Sequence, residues 1–199
     1  MTDQPAETAV NRAAARAVLR RAMIAARQAM PAAALEQASV RILEYLAGLL
    51  LGRPAGRIGF CWPIRAEVDC RPLVARLIAA DWQAAMPTVA ALEAPMEFRA
   101  WSPDAPMTAD PYGIPVPATP ATAIPDVLLL PLVAFDAAGY RLGYGGGYFD
   151  RTLAACAPRP LTIGVGFELC AVATIHPEAH DVPLDLIVTE GGIRRFNTL

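Results

Sequence analysis

A chain of 199 residues, 55% of them hydrophobic, is long enough to bury a sizeable core within one compact domain. All 17 basic residues are arginine, which excludes a lysine-bearing Walker phosphate loop and Schiff-base chemistry alike. The net charge of −2 argues against a nucleic-acid binder, which needs a basic face, and no apolar run reaches the ~18 residues of a membrane span.

The first residues are acidic and lack the basic, apolar, small-residue order of a secretion signal. Cys61, Cys70, Cys156 and Cys170 show no C-x-x-C spacing, which indicates reduced, mostly buried thiols in a cytoplasmic protein. Residues 1–10 read as a flexible tail ahead of a single domain over 11–199. A helix is expected from Asn11, with Arg16, Arg20 and Arg27 on one face, either solvated or turned toward an anion in a cleft. A second helix spans 33–50, with Leu35, Ile42, Leu46 and Leu50 near helical spacing, and Gly52 and Pro54 close it. Strands are expected at 57–62, 82–88, 96–101, 127–131, 162–167 and 184–188, and a helix at 71–80. Residues 103–125 form a long proline-rich connection. Alternating strands and helices imply an α/β domain, a Rossmann-like three-layer fold with a largely parallel sheet covered on both faces. Ligands of such sheets sit at the C-terminal ends of strands, here the loops at 62–69, after 131 and from Glu168 onward.

The densest signal is Arg141-Leu142-Gly143-Tyr144-Gly145-Gly146-Gly147-Tyr148-Phe149-Asp150-Arg151, set between an apolar strand and a helical segment at 152–157. So many glycines serve either a tight turn or close approach of backbone N–H groups to an anion at a helix start. The charged flanks Arg141, Asp150 and Arg151 favour a phosphate. Tyr148 stands where a dinucleotide fingerprint needs its third glycine, which argues against a nicotinamide enzyme. Glu67 and Asp69 follow a strand, either as a surface charge cluster or as acceptors for the N–H groups of a polar ring. His176, Glu178, His180 and Asp181 have a zinc-like look, but Pro177 interrupts any helix that would present both histidines. Asp181 and Asp150 could instead share Mg²⁺ beside a nucleotide. No Gly-x-Ser-x-Gly elbow is present.

Residues 135–151, Phe-Asp-Ala-Ala-Gly-Tyr-Arg-Leu-Gly-Tyr-Gly-Gly-Gly-Tyr-Phe-Asp-Arg, resemble the signature of the 5-formyltetrahydrofolate cyclo-ligase family. Arg16-x-x-x-Arg20, Glu67-Val68-Asp69 with Arg71-Pro72-Leu73, Gly113-Ile114 with Pro117, Gly166-Phe167-Glu168 and His180-Asp181-Val182-Pro183-Leu184-Asp185 resemble its other blocks, in order over about 12–190. The resemblance implies ATP- and Mg²⁺-dependent closure of 5-formyltetrahydrofolate to 5,10-methenyltetrahydrofolate. It assigns Arg16 and Arg20 to the nucleotide phosphates and Arg141, Leu142, Gly143, Tyr144, Gly145, Gly146, Gly147, Tyr148 and Phe149 to the ATP site. Arg141 would stabilise the phosphoryl charge. Glu67, Trp62, Tyr148 and the three glycines 145–147 would meet the folate, and Asp150 and Asp181 would hold the metal. No protein nucleophile, nucleic acid, membrane or protein partner is implied. Three positions depart from the family pattern: Arg16 where lysine is common, Val116 where glutamate precedes Pro117, and Cys170 where glutamine is frequent. A folate- or nucleotide-holding homologue with little turnover and a sugar-phosphate enzyme are the rival readings.

Overall fold

The computed structural model describes residues 4–196. Its long first helix, α1 (Gln4–Gln28), begins ahead of the expected Asn11, and residues 1–3 of the expected tail lie outside the described residues. α2 (Ala32–Leu50), β1 (Arg57–Gly59), α3 (Arg71–Ile78), β2 (Gln83–Thr88) and β3 (Glu97–Trp101) follow close to their expected places. The proline-rich connection is not structureless: it forms β4 (Met107–Ala109), β5 (Pro115–Pro117) and β6 (Ala121–Thr122). The chain continues through β7 (Val127–Pro131), the small hairpin β8 (Ala134–Phe135) and β9 (Arg141–Leu142), α4 (Tyr148–Ala155) and β10 (Leu161–Val165). It ends in β11 (Leu186–Thr189) and β12 (Gly192–Arg195), an edge strand too short and polar for its sequence to announce.

Eight strands form one sheet in the order β12-β11-β10-β7-β1-β2-β3-β6. β2, β1, β7, β10 and β11 are mutually parallel, while β12 and β3 join antiparallel at the flanks. This is the largely parallel, three-layer sheet expected from the sequence. Strand alternation sorts the side chains into two cores. Val127 and Leu129 of β7 join α2 and α3 on one face, whereas Leu128 and Leu130 join Leu153 of α4 on the other. α2 docks through Ala38, Ile42, Leu46 and Leu50, spaced four apart on one stripe. Val40, off this stripe, is 49% exposed. Each fully buried leucine of this stripe stabilises the fold by roughly 1.5–3 kcal/mol.

The order of the strands places the site. From β1 the chain builds outward to β2 and β3, and from β7 it builds the other way to β10 and β11. The switch point is the β1–β7 seam, where the loops leaving two adjacent strands diverge and open a crevice. Residues 60–69 follow β1 and residues 132–147 follow β7, so the two sequence-predicted loops meet there.

Candidate active site

α1 lies across the C-terminal ends of the strands with its arginine stripe turned inward. Its apolar contribution is small, Leu19 and Met23 packing on Ala134, Leu142 and Ile175. The arginines do the rest. Arg16 forks onto Asp181 at 2.5 and 3.2 Å and also donates to the His176 carbonyl. Arg20 Nε donates to the Gly143 carbonyl at 2.7 Å. Arg27, only 2% exposed, donates to the carbonyls of Arg65 and Leu132 and to the Tyr144 hydroxyl, at 2.9, 2.8 and 2.8 Å. This helix face is therefore turned onto the rest of the protein and not simply solvated, and Arg27 is a site-adjacent residue that the sequence placed only as part of a stripe.

The glycine loop is set from both sides. Gly145 and Gly147 take φ of +97° and +64°, a region that costs an L side chain roughly 1–2 kcal/mol. A side chain at Gly146 would run into the Tyr148 ring, 2.8 Å from its Cβ position. Arg20 pulls the Gly143 carbonyl inward, and Arg151 Nη2 does the same to the Gly146 carbonyl at 2.6 Å. A trans peptide points its N–H opposite to its carbonyl, so the N–H groups of Tyr144 and Gly147 are turned the other way. Among the described residues, none of the N–H groups of residues 144–147 donates to another protein group. The loop runs directly into α4, whose positive end adds to the attraction for an anion.

Several named residues act as supports of this loop. Leu142 is fully buried in a small apolar cluster and anchors the loop, contributing no side chain to a ligand. Phe149 packs on the second core with the Arg141 guanidinium over its ring. Arg141 is itself buried, pairing with Asp150 Oδ1 at 3.2 Å and donating to the Val182 carbonyl. The Val182 N–H also reaches Asp150 Oδ1. Tyr148 meets Tyr112 of the β4–β5 turn through their hydroxyls at 2.7 Å, and Arg151 lies over the Tyr148 ring. Tyr112 was hidden in the proline-rich stretch, where no periodic pattern could mark it.

Asp150 and Asp181 do not form an open carboxylate pair. Both Asp181 oxygens are taken by Arg16, and the Glu178 N–H adds a bond of 2.7 Å to Oδ2. Burial alone would raise the Asp181 carboxyl, but the Arg16 fork and that N–H outweigh it and hold the group below its ordinary range. His180 turns to Glu178, and among the described residues no group of three or more His, Cys, Asp and Glu side chains is placed to hold a metal ion. The zinc-like look of 176–181 is thus a charge network.

Across the seam, Glu67 sits against Phe60, Cys61, Val68, Cys70, Leu129, Pro131 and Val165, around a space of about 20 Å³ that would admit one water. Its Oε1 accepts the Tyr144 hydroxyl at 2.5 Å and its Oε2 accepts the Ile64 N–H at 3.0 Å. Burial raises its carboxyl above the usual range, and these two bonds together with Arg27 and Arg65 offset only part of that rise. Burial likewise pushes the Tyr144 phenol well up. Beside it, the Trp62 ring is covered on one face by Arg71 at 4.1 Å, a guanidinium clamped in turn by Asp69. Glu67 and Asp69 have therefore separated into two roles: one buried acceptor in the crevice and one half-exposed clamp. Val116 is buried in β5, and Cys170 is buried below the loop after β10.

An α/β protein with an anion cradle on one side of its switch point and a buried carboxylate on the other is built to bring a phosphate and a polar ring together. The family follows from comparison: the model of the 5-formyltetrahydrofolate cyclo-ligase family matches residues 12–190, and the chain belongs to that family. A 5-formyltetrahydrofolate cyclo-ligase of Haemophilus influenzae is 29% identical over 76% of this chain and 86% of its own length. Its counterpart in Mycolicibacterium smegmatis is 29% identical over 86% and 91%. The structure of Aquifex aeolicus 5,10-methenyltetrahydrofolate synthetase superposes with a TM-score of 0.79 at 26% identity, covering 92% of this chain and 94% of that one.

Proposed function

We propose that the protein closes 5-formyltetrahydrofolate to 5,10-methenyltetrahydrofolate at the expense of ATP, releasing ADP and phosphate. The observation that carries this reading is the glycine loop: its residues 144–147 hold four consecutive undonated N–H groups, two of them turned away from carbonyls that Arg20 and Arg151 hold, and its Tyr144 hydroxyl reaches Glu67 across the switch point. An amide oxygen is a poor leaving group. Transfer of the γ-phosphoryl group to the formyl oxygen turns it into a phosphate, after which N10 attacks the formyl carbon. The C–O bond then breaks, N10 loses its proton, and the N5–C–N10 bridge remains. Nothing in this sequence needs a protein nucleophile; it needs position and charge neutralisation.

The loop N–H groups and α4 would receive the phosphates, with Arg141 and Arg20 behind them. Glu67 would accept from the ring N–H groups of the pterin, and Trp62 and Tyr148 would give it walls. For Mg²⁺ the fit rests on Asp150: Oδ1 is engaged by Arg141 and Val182, while Oδ2 has no protein partner among the described residues. Magnesium beside a nucleotide is held by one or two carboxylates plus phosphate oxygens and water, so one such oxygen suits it. When bound it would neutralise charge on the phosphates. Asp181 reads better as the anchor that holds Arg16 and α1 over the crevice.

The test is direct. Protein, ATP, Mg²⁺ and 5-formyltetrahydrofolate are mixed and the absorbance of the methenyl product is followed, with an increase expected. No increase, together with folate binding by calorimetry, would leave a holding protein and not a ligase.

A further inference from the structure

Among the described side chains of α1, Arg27 is the most deeply buried charge, and it is absent from every role assigned above. Its three donating nitrogens go to three different places: Nε to Arg65 in the loop after β1, Nη1 to Leu132 just past β7, and Nη2 to the Tyr144 hydroxyl in the glycine loop. The same Nη2 stands 3.7 Å from Glu67 Oε1, which accepts the Tyr144 proton at 2.5 Å. The loop it touches is unusual. Arg65 and Ala66 both take positive φ, +49° and +59°, where neither residue type settles unaided. The turn is closed by the Glu67 N–H on the Ile64 carbonyl and by the Ile64 N–H on Glu67 Oε2. Arg27 caps the carbonyl of the strained Arg65 from outside.

We propose that Arg27 is a positioning residue for folate binding, which sets Glu67 and Tyr144 as one hydrogen-bonded unit joining the glycine loop to the ring-binding carboxylate. The inference rests on the reading that Glu67 receives the pterin. A carboxylate has roughly four acceptor sites on its two oxygens. Tyr144 and Ile64 use one on each oxygen, so each keeps one for a ring presenting two N–H groups side by side. Fixing the carboxylate plane is what allows both to be met at once. Arg27 also favours the ionised form, after the Tyr144 and Ile64 hydrogen bonds, in surroundings that oppose ionisation. The groups facing Glu67 are Arg27 from α1, Tyr144 from the glycine loop, Arg65 and the Ile64 N–H from its own loop, and the thiols of Cys61 and Cys70. Both thiols are pushed up by burial, so Arg27, Arg65 and the two hydrogen bonds are what favour the charge. β7 and β10 present only the apolar residues Leu129, Pro131 and Val165 there.

The experiment is a calorimetric titration of 5-formyltetrahydrofolate without ATP, repeated across about pH 6 to 8, on the native protein, Arg27→Met, Arg27→Lys and Tyr144→Phe. Loss of a charged hydrogen-bond partner corresponds to about tenfold or more in affinity, so Arg27→Met is expected to bind at least that much more weakly at the midpoint of the range. The deficit should widen as pH falls, because a Glu67 carboxyl deprived of its cation protonates at higher pH and can no longer accept from the ring. Arg27→Lys keeps the charge and should restore the native pH profile while leaving part of the affinity loss. Tyr144→Phe removes the link without emptying the buried site, and serves if Arg27→Met does not fold. It should displace the pH profile in the same direction by at least as much, because the Tyr144 hydrogen bond favours the ionised Glu67 more than the Arg27 charge does. Folded variants that track the native protein at every pH would overturn the proposal. A native protein that binds no folate would instead overturn the reading beneath it.

Discussion

At the glycine loop the donors are main-chain N–H groups, and the neighbouring side chains Arg20 and Arg151 work by holding carbonyls. At the loop after β1 the roles are exchanged: main-chain N–H and carbonyl groups close the turn so that one side chain, Glu67, stands in the crevice. On the proposed reading the contrast follows from the ligands. A phosphate is satisfied by any converging N–H groups, and backbone supplies them at fixed spacing without rotamer entropy. A polar ring edge has a set pattern of donors, and only a placed side chain can match it. The two regions should therefore fail in different ways when altered.

The largest expected effect comes from Arg141. It supports the glycine loop and neutralises Asp150, so Arg141→Ala removes a charge from a buried pair, a change that costs about 3–5 kcal/mol where the partner remains. Affinity for an ATP analogue should fall by about a hundredfold or more while folate affinity changes far less, both read by calorimetry on folded protein. Equal losses of the two ligands would erase the division between the regions. Next comes Glu67→Gln, which keeps the size but gives up the charge and one acceptor. Folate binding should weaken by roughly ten- to a hundredfold, with ATP binding within about twofold. If ATP binding weakened equally, the loop after β1 would belong to the nucleotide.

The smallest effect belongs to the Arg16–Asp181 pair. The Asp181 carboxyl lies below its ordinary value of 3.8 in the folded protein, so the pair's contribution is present above that value and is lost as pH falls through the depressed one. Acid unfolding followed by circular dichroism should show an extra proton uptake in that window, and Asp181→Asn should remove it. An unchanged acid profile in the variant would mean that α1 is held by its other contacts.

The parallel sheet was legible because its strands are short apolar runs separated by helical patterns. The glycine loop was legible because nothing but a tight turn or a bound anion requires that density. Arg27 was not. Helical spacing put it on a face with Arg16 and Arg20, but α1 carries too few apolar residues for its pattern to say which face turns inward. Its orientation is decided by hydrogen bonds to groups 38, 105 and 117 residues away, which no local pattern encodes. Asp181 was ambiguous for a related reason. Two aspartates near a glycine loop look alike in sequence, and only the fold shows that both meet a guanidinium and that Arg16 takes both oxygens of Asp181. β4, β6 and β12 escaped notice because they bury little and carry no strong alternation, and β5, which does bury Val116, is only three residues long with a proline at each end.

The seam between β1 and β7 has one more consequence. It is registered through two residue pairs, Ile58 with Val127 and Gly59 with Leu128, whereas β7 and β10 are registered through five. The sheet is thus two leaves joined by a narrow ladder, and on the proposed reading each substrate would be carried by a different leaf. Arg27 spans the joint at its open end, reaching the β1 leaf through Arg65 and the β7 leaf through Leu132 and Tyr144. On that reading it would serve as a tie rod, the alignment of formyl oxygen and phosphate being set by the length of one arginine side chain.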